Sequence, residues 1–265
     1  MLVQLLGYEF YKKWKTLRYI LGGFIVLQAL LLTITGIFLG NDATKLVMGI
    51  ENNGQSGSFT LGLISALYFM FAAGLFFLPL VENVYRFEKD LSGKQAVLEL
   101  MIPIISWKKI MSKLIVTLST TIVFQSIAVF SIVAYILVNS RFNKEITDSI
   151  LTIARTIISS PAKSFFIALN GLFILASLSM IVMFCIAFSK SMSHKNRIAV
   201  PIGIGMFIAF FVVLILVVIQ VDKFPIIKFY LFGIEESLSS IVVDILAFVL
   251  PFLGASYLME KRIEN

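Results

Sequence analysis

The sequence predicts an all-α integral membrane protein with six transmembrane helices, and its composition, its apolar blocks and its charge distribution all indicate this fold class. Of 265 residues, 59% are apolar and 14% are charged, and the mean hydropathy is +0.97. Soluble domains are about 45–50% apolar and about 25% charged. An ordinary globular enzyme and a disordered chain are therefore both excluded.

The apolar residues fall into six blocks of roughly 20 residues each, the length at which a helix crosses a hydrocarbon layer of ~30 Å. Each span is expected to be helical, because lipid offers no water to open backbone groups. The whole chain, residues 1–265, is predicted to form a single transmembrane domain. The spans are predicted at about 19–39, 61–81, 114–138, 165–188, 198–219 and 238–258.

The charge distribution predicts that both termini are cytoplasmic. The two termini and the loops 82–113 and 189–197 hold 15 basic residues, whereas the opposite loops hold 7, and acidic residues number 7 on each side. Positively charged loops remain in the cytoplasm. The net charge of +7 is thus explained by topology, and no nucleic-acid partner is expected.

Residues 2–18 are predicted to form an amphipathic interfacial helix with one apolar face. Such a helix lies in the headgroup plane with its basic residues near anionic lipid. Two interpretations are open: a plain membrane anchor, or an elbow that directs the first span and packs beside a partner. The apolar face consists of Val3, Leu6, Phe10, Trp14 and Leu17.

The cytoplasmic loop 82–113 is predicted to form a short helical hairpin. A first apolar helix stops near Pro103, and Ser106 is expected to cap a second helix that leads into the third span. The hairpin is either a connector that lies on lipid or a surface that docks a cytoplasmic partner. The predicted docking residues are Leu98, Leu100, Met101, Pro103, Ser106, Trp107, Lys108 and Lys109.

This loop resembles that of type-2 ABC exporter permeases. In that family an acidic residue and a glycine precede a segment with leucines, proline, an aliphatic residue, serine and arginine, and a lysine follows where the next span begins. Residues 87–93 and 98–110 and Lys113 match this order. The sequence departs from the pattern by one extra residue, Ile105, and by Trp107 with a following lysine in place of arginine.

The N-terminal stretch from Leu6 to Lys13, an apolar residue followed by glutamate, an aromatic residue and lysine, resembles the beginning of the same family. The resemblance implies a permease in the bacterial plasma membrane that dimerises with itself or with a sister permease. It also implies that separate cytoplasmic ATPase subunits drive transport by gripping the hairpin of residues 96–113, which we term the coupling hairpin.

The chain contains no G-x-x-x-x-G-K-[ST] phosphate-binding loop. ATP and magnesium are therefore expected on partner subunits, and the chain is predicted to be no enzyme by itself and to hold no cofactor or metal. One Cys and one His leave no disulfide framework or Cys/His metal cluster. The alternative function is that of a membrane sensor or scaffold that docks a cytoplasmic partner without transport.

Two external loops have distinct patterns. Isoleucines recur at helical spacing between Ile146 and Ile157, which predicts an amphipathic helix at the outer interface. Loop 220–237 is strongly apolar but too short to cross the membrane twice. It is either an interfacial loop or a re-entrant segment, and the resemblance implies re-entrant helices that cap the transport path. The predicted external gate consists of Phe224, Pro225, Phe229, Tyr230 and Phe232.

Polar residues inside the spans are the remaining candidates for function. Asp244 is the only formally charged residue within the predicted spans, and it either bonds to a neighbouring helix or serves a substrate or proton. Gln28, Gln125 and Asn170 are expected to link helices. So few ionisable sites favour a hydrophobic or amphipathic substrate, such as an antimicrobial peptide, a drug or a lipid.

Overall fold

A computed structural model describes residues 2–38, 57–92, 105–139, 144–193, 196–221, 228–231 and 234–263. Within these ranges, six helices are long and apolar enough to cross a membrane, which confirms the all-α membrane fold. Each of the six overlaps one predicted span. The crossing segments are Val3–Ile34, Leu63–Leu91, Ser106–Val138, Pro161–Met192, Ile198–Gln220 and Ile241–Lys261.

The helices are longer than the apolar blocks because the more polar residues at the ends of each block continue the helical pattern. The α-helices are α1 (Leu2–Phe38), α2 (Gly57–Ser92), α3 (Ser106–Asn139), α4 (Lys144–Ser159), α5 (Pro161–Met192), α6 (Asn196–Val221) and α7 (Leu238–Leu258). The π-helical turn Met259–Ile263 continues α7. Helix α3 begins at Ser106, where the sequence predicted a helix start.

The predicted interfacial helix 2–18 is continuous with the first span rather than separate from it. Helix α1 has 37 residues, about 55 Å at 1.5 Å per residue. The sequence between the two parts contains no proline, and Gly22 and Gly23 weaken a helix by only about 1 kcal/mol each relative to alanine. A single helix is therefore compatible with the sequence.

The chain forms two compact units. Unit 1 comprises Met1–Glu9, Leu80–Leu118 and Pro161–Asn265, and unit 2 comprises Phe10–Pro79 and Ser119–Ser160. The core of unit 1 contains Phe87, Ile110, Leu114, Ala176, Met180, Met183, Ala187, Ala255 and Met259. The core of unit 2 contains Leu17, Leu75, Phe124 and Ala128.

Helix α5 packs against α6 and α7 in unit 1, and a glycine allows close approach to α7. A Cβ atom placed on Gly254 would lie 2.6 Å from Cε2 of Phe184, well inside van der Waals contact. Small residues at helix interfaces commonly serve this purpose in membranes. Gly254 therefore positions α7 against the ring of Phe184.

We expect Gly254→Ala to destabilise the protein by about 1–3 kcal/mol, the usual cost of overpacking. The midpoint of thermal unfolding in detergent measures this effect. Gly171→Ala is the matched control, because a Cβ atom on Gly171 meets no atom within 4 Å and alanine is the better helix former. Equal midpoints for the two variants would contradict the assigned contact.

The outer-loop predictions have different outcomes. Helix α4 forms where the amphipathic helix was predicted, and it has no buried residues. In loop 220–237 the described residues instead form an antiparallel hairpin of strands β1 (Lys228–Leu231) and β2 (Ile234–Ser237). Aromatic residues favour strands, and two of the four residues of β1 are aromatic. The hairpin differs from the re-entrant helices that the resemblance implies.

Candidate functional site

A cluster of three buried charged residues lies in unit 1, where it joins α1, α2 and α3. The Nζ atom of Lys113 lies 2.8 Å from Oε1 of Glu9 and also forms an ion pair with Oδ2 of Asp90. All three side chains are buried. We call this group the ionic cluster.

The sequence places each member of the ionic cluster near the end of an apolar span. Asp90 lies two residues before the end of α2, and Lys113 lies in the second turn of α3. Removing charges from water costs several kcal/mol per ion, so a buried pair persists only with close pairing and further hydrogen bonds. Two carboxylates that share one ammonium meet this requirement and hold the three helices together.

The last turns of α2 make further polar contacts within unit 1. Asn83 donates a hydrogen bond from Nδ2 to Oγ of Ser179 at 3.1 Å. Lys190, at the end of α5, forms an ion pair with Glu88 with a nitrogen–oxygen distance of 3.5 Å. This end of α2 is thus bound to α5 as well as to α1 and α3.

The predicted docking surface is partly described. Trp107 is 41% exposed, and the ammonium group of Lys108 lies 5.5 Å from the centre of its indole ring. Ser106 and Lys109 are buried. Trp107 and Lys108 are therefore the accessible residues among the described members of the predicted docking surface. Leu98, Leu100, Met101 and Pro103 lie outside the described residues.

Of the predicted external gate, Phe229 and Tyr230 lie on β1, where they pair with Glu236 and Glu235 of β2. The backbone of both strands is described, and these partners place two carboxylate-bearing residues directly opposite two aromatic residues. The other predicted gate residues, Phe224, Pro225 and Phe232, lie outside the described residues.

The four predicted intramembrane polar residues are divided between the two units. Gln28 and Gln125 belong to unit 2, and Asn170 and Asp244 belong to unit 1. Gln28 is buried, and Gln125, Asn170 and Asp244 are half-buried.

Gln28, which was expected to link helices, belongs to a network in unit 2 whose other members the sequence did not predict. The hydroxyl of Tyr68 lies 3.2 Å from Oε1 of Gln28 and donates to the carbonyl oxygen of Ser131 at 2.9 Å. The ring of Tyr68 stacks on Tyr135 with centroids 4.0 Å apart, and the hydroxyl of Tyr135 bonds to Ser65. A buried tyrosine hydroxyl usually has a hydrogen-bond partner. The tyrosines within the apolar blocks were therefore the sequence feature that could have indicated this network.

The ionic cluster was also not predicted as a site. Glu9, Asp90 and Lys113 all lie in the segments that carry the family resemblance, yet no local pattern indicates that they meet. Among the described residues, no group of three or more His, Cys, Asp or Glu side chains is placed to hold a metal. No protein-family model, curated protein or solved structure matches this chain.

Proposed function

We propose that this membrane protein is the permease subunit of an ATP-driven ABC exporter. The observation that carries the proposal is the ionic cluster. Glu9 lies in the N-terminal stretch and Asp90 and Lys113 lie in the loop that resemble type-2 permeases, and the three residues form one buried group of ion pairs. Two regions that each resemble the family are expected to meet if the resemblance reflects a common architecture.

The ionic cluster also gives the coupling hairpin a mechanical connection to the spans. Asp90 lies just before residues 93–104 and Lys113 lies shortly after them, and the two are ion-paired. Both ends of the loop are therefore held together and are tied to α1 through Glu9. A force applied to a loop that is held in this way moves three helices together.

Trp107 and Lys108 provide a surface on which an ATPase subunit can act. Tryptophan dominates the energetics of many protein interfaces, and it does so where it is exposed in the free protein and buried in the complex. Trp107, with its exposed indole, is the second residue of α3 and lies six residues before Lys113. Binding of a partner at Trp107 is thereby transmitted to the ionic cluster within two helical turns.

The substrate that we propose is hydrophobic or amphipathic: an antimicrobial or other amphipathic peptide, a drug or a lipid. Most side chains of α6 in its crossing segment are exposed, and this segment has the highest mean hydropathy of the six, 3.2. Such a surface suits lipid, substrate or a second permease subunit. Transport is proposed from the cytoplasm outward, with a homodimer or a pair of sister permeases forming the path.

Co-purification tests the proposal directly. When the chain is extracted in mild detergent from its native membrane, we expect an ATP-binding subunit to accompany it in a ratio near one to one. The isolated chain should hydrolyse no ATP above background. Absence of any ATP-binding protein from the complex, with the chain folded, would contradict the exporter assignment.

A sensor or scaffold is the second candidate, because the exposed Trp107 beside Lys108 suits a docking partner even without transport. The two functions differ in their response to substrate. An exporter reconstituted in vesicles should increase its ATPase activity when an amphipathic peptide is added, and it should move that peptide across the bilayer. A scaffold should do neither.

A further inference from the structure

A cavity of about 330 Å³ lies in unit 1 between α2, α5 and α6. Its walls are largely apolar, with Val182, Ile186, Ile204 and Phe207 among the lining side chains, and Glu88 and Lys190 are its charged members. The volume falls at the lower end of the range of small-molecule sites. The cavity therefore suits a stretch of apolar chain beside one charged group.

The two charged residues differ in burial, and this difference indicates whether the charged group of the ligand is positive or negative. The side chain of Lys190 is 5% exposed and that of Glu88 is 36% exposed, and their charged atoms are 3.5 Å apart. Charge-assisted hydrogen bonds are normally about 2.7–2.9 Å long, shorter than this distance, and both side chains also form further interactions. An ammonium group has three donors, so an anion that enters the cavity can bind Lys190 beside its existing partners, while the more exposed carboxylate turns toward solvent.

We propose that this cavity binds one anionic phospholipid, with its phosphate on Lys190 and an acyl chain along the apolar wall. Lys190 belongs to the loops that the charge distribution assigns to the cytoplasm, and the facing leaflet is rich in anionic lipid. Basic pockets between transmembrane helices on that side commonly bind anionic headgroups. The site goes beyond the proposed function, since lipid binding requires neither an ATPase subunit nor transport.

Thermal unfolding of the purified chain in detergent, titrated with phosphatidylglycerol, measures the affinity. We expect the unfolding midpoint to rise with lipid concentration. Lys190→Gln should weaken the apparent affinity about tenfold, as expected for the loss of one hydrogen bond to a charged group. Lys163→Gln is the matched control at the other end of α5, and it should bind as the unaltered protein does.

Two further variants separate lipid binding from a purely structural ion pair. Glu88→Gln removes the competing anion and should tighten binding of phosphatidylglycerol several-fold, whereas a structural pair would lose stability without this gain. Val182→Trp fills the apolar part of the cavity, leaves both charges in place and should weaken binding. The Glu88 variant retains the cavity and the cation, so it tests the proposal even if Lys190→Gln does not fold.

Three results would overturn the proposal. The first is an equal response to phosphatidylcholine, which would show that the cavity accepts acyl chains without regard to charge. The second is an equal response to inorganic phosphate, which would show that the site binds a free anion rather than a lipid. The third is weaker binding of phosphatidylglycerol to Glu88→Gln than to the unaltered protein.

Discussion

Replacing Lys113 with methionine is expected to destabilise the protein by about 3–5 kcal/mol, the usual cost of removing one partner from a buried ion pair. The substitution leaves the carboxylates of Glu9 and Asp90 buried beside each other without the ammonium that now bridges them. The change is measured by the thermal or denaturant unfolding midpoint in detergent. We also expect a lower yield of folded protein from membranes.

Two variants show whether the effect comes from the ionic cluster. Lys15→Met changes an exposed lysine on α1 and should alter stability by less than about 0.5 kcal/mol. A triple variant, Glu9→Gln with Asp90→Asn and Lys113→Met, removes all three charges and should recover much of the lost stability. If Lys113→Met is as stable as Lys15→Met, the ion pairs do not hold these helices together.

Replacing Trp107 and Lys108 together with alanine is expected to weaken binding of the proposed ATPase subunit at least about 30-fold. Loss of an aromatic interface anchor commonly costs 2 kcal/mol or more, and the stacked ammonium group of Lys108 is lost with it. Both side chains are accessible, so membrane insertion and the unfolding midpoint should change little. The affinity is measured by titrating the proposed ATPase subunit onto the purified chain.

The chain contains a matched control for this double variant. Lys261 lies 5.3 Å from the ring centre of the exposed Tyr257, so the pair has the same cation–aromatic chemistry at the end of α7. Alanine at both of these positions should leave ATPase binding unchanged. Equal affinity of the Trp107/Lys108 variant and the unaltered protein would refute the docking proposal.

Local patterns were sufficient to predict the spans and several of their boundaries. Hydropathy located six helices, a serine followed by an apolar pattern located the start of α3 at Ser106, and the spacing of isoleucines located α4. Each of these features depends on residues within a few helical turns of one another. The reason is that bilayer thickness and helix periodicity act on neighbouring residues.

Two features of secondary structure could not be predicted from such local patterns. Residues 2–18 have the pattern of an interfacial helix, but nothing in the sequence after them stops the helix, so α1 runs through both parts. Loop 220–237 has the apolar content of a re-entrant segment, yet its described part forms the hairpin of β1 and β2. Composition alone distinguishes poorly between a short apolar strand and a short apolar helix.

The sequence by itself determined the class of protein, the six spans and the segments that resemble exporter permeases. Only the tertiary structure brought Lys113 to Glu9, 104 residues away along the chain, and to Asp90. It also placed Tyr68 against Gln28 and opened a cavity beside Lys190. A charged residue at the end of a span can reach water or a distant partner, and helix packing decides which of the two it meets.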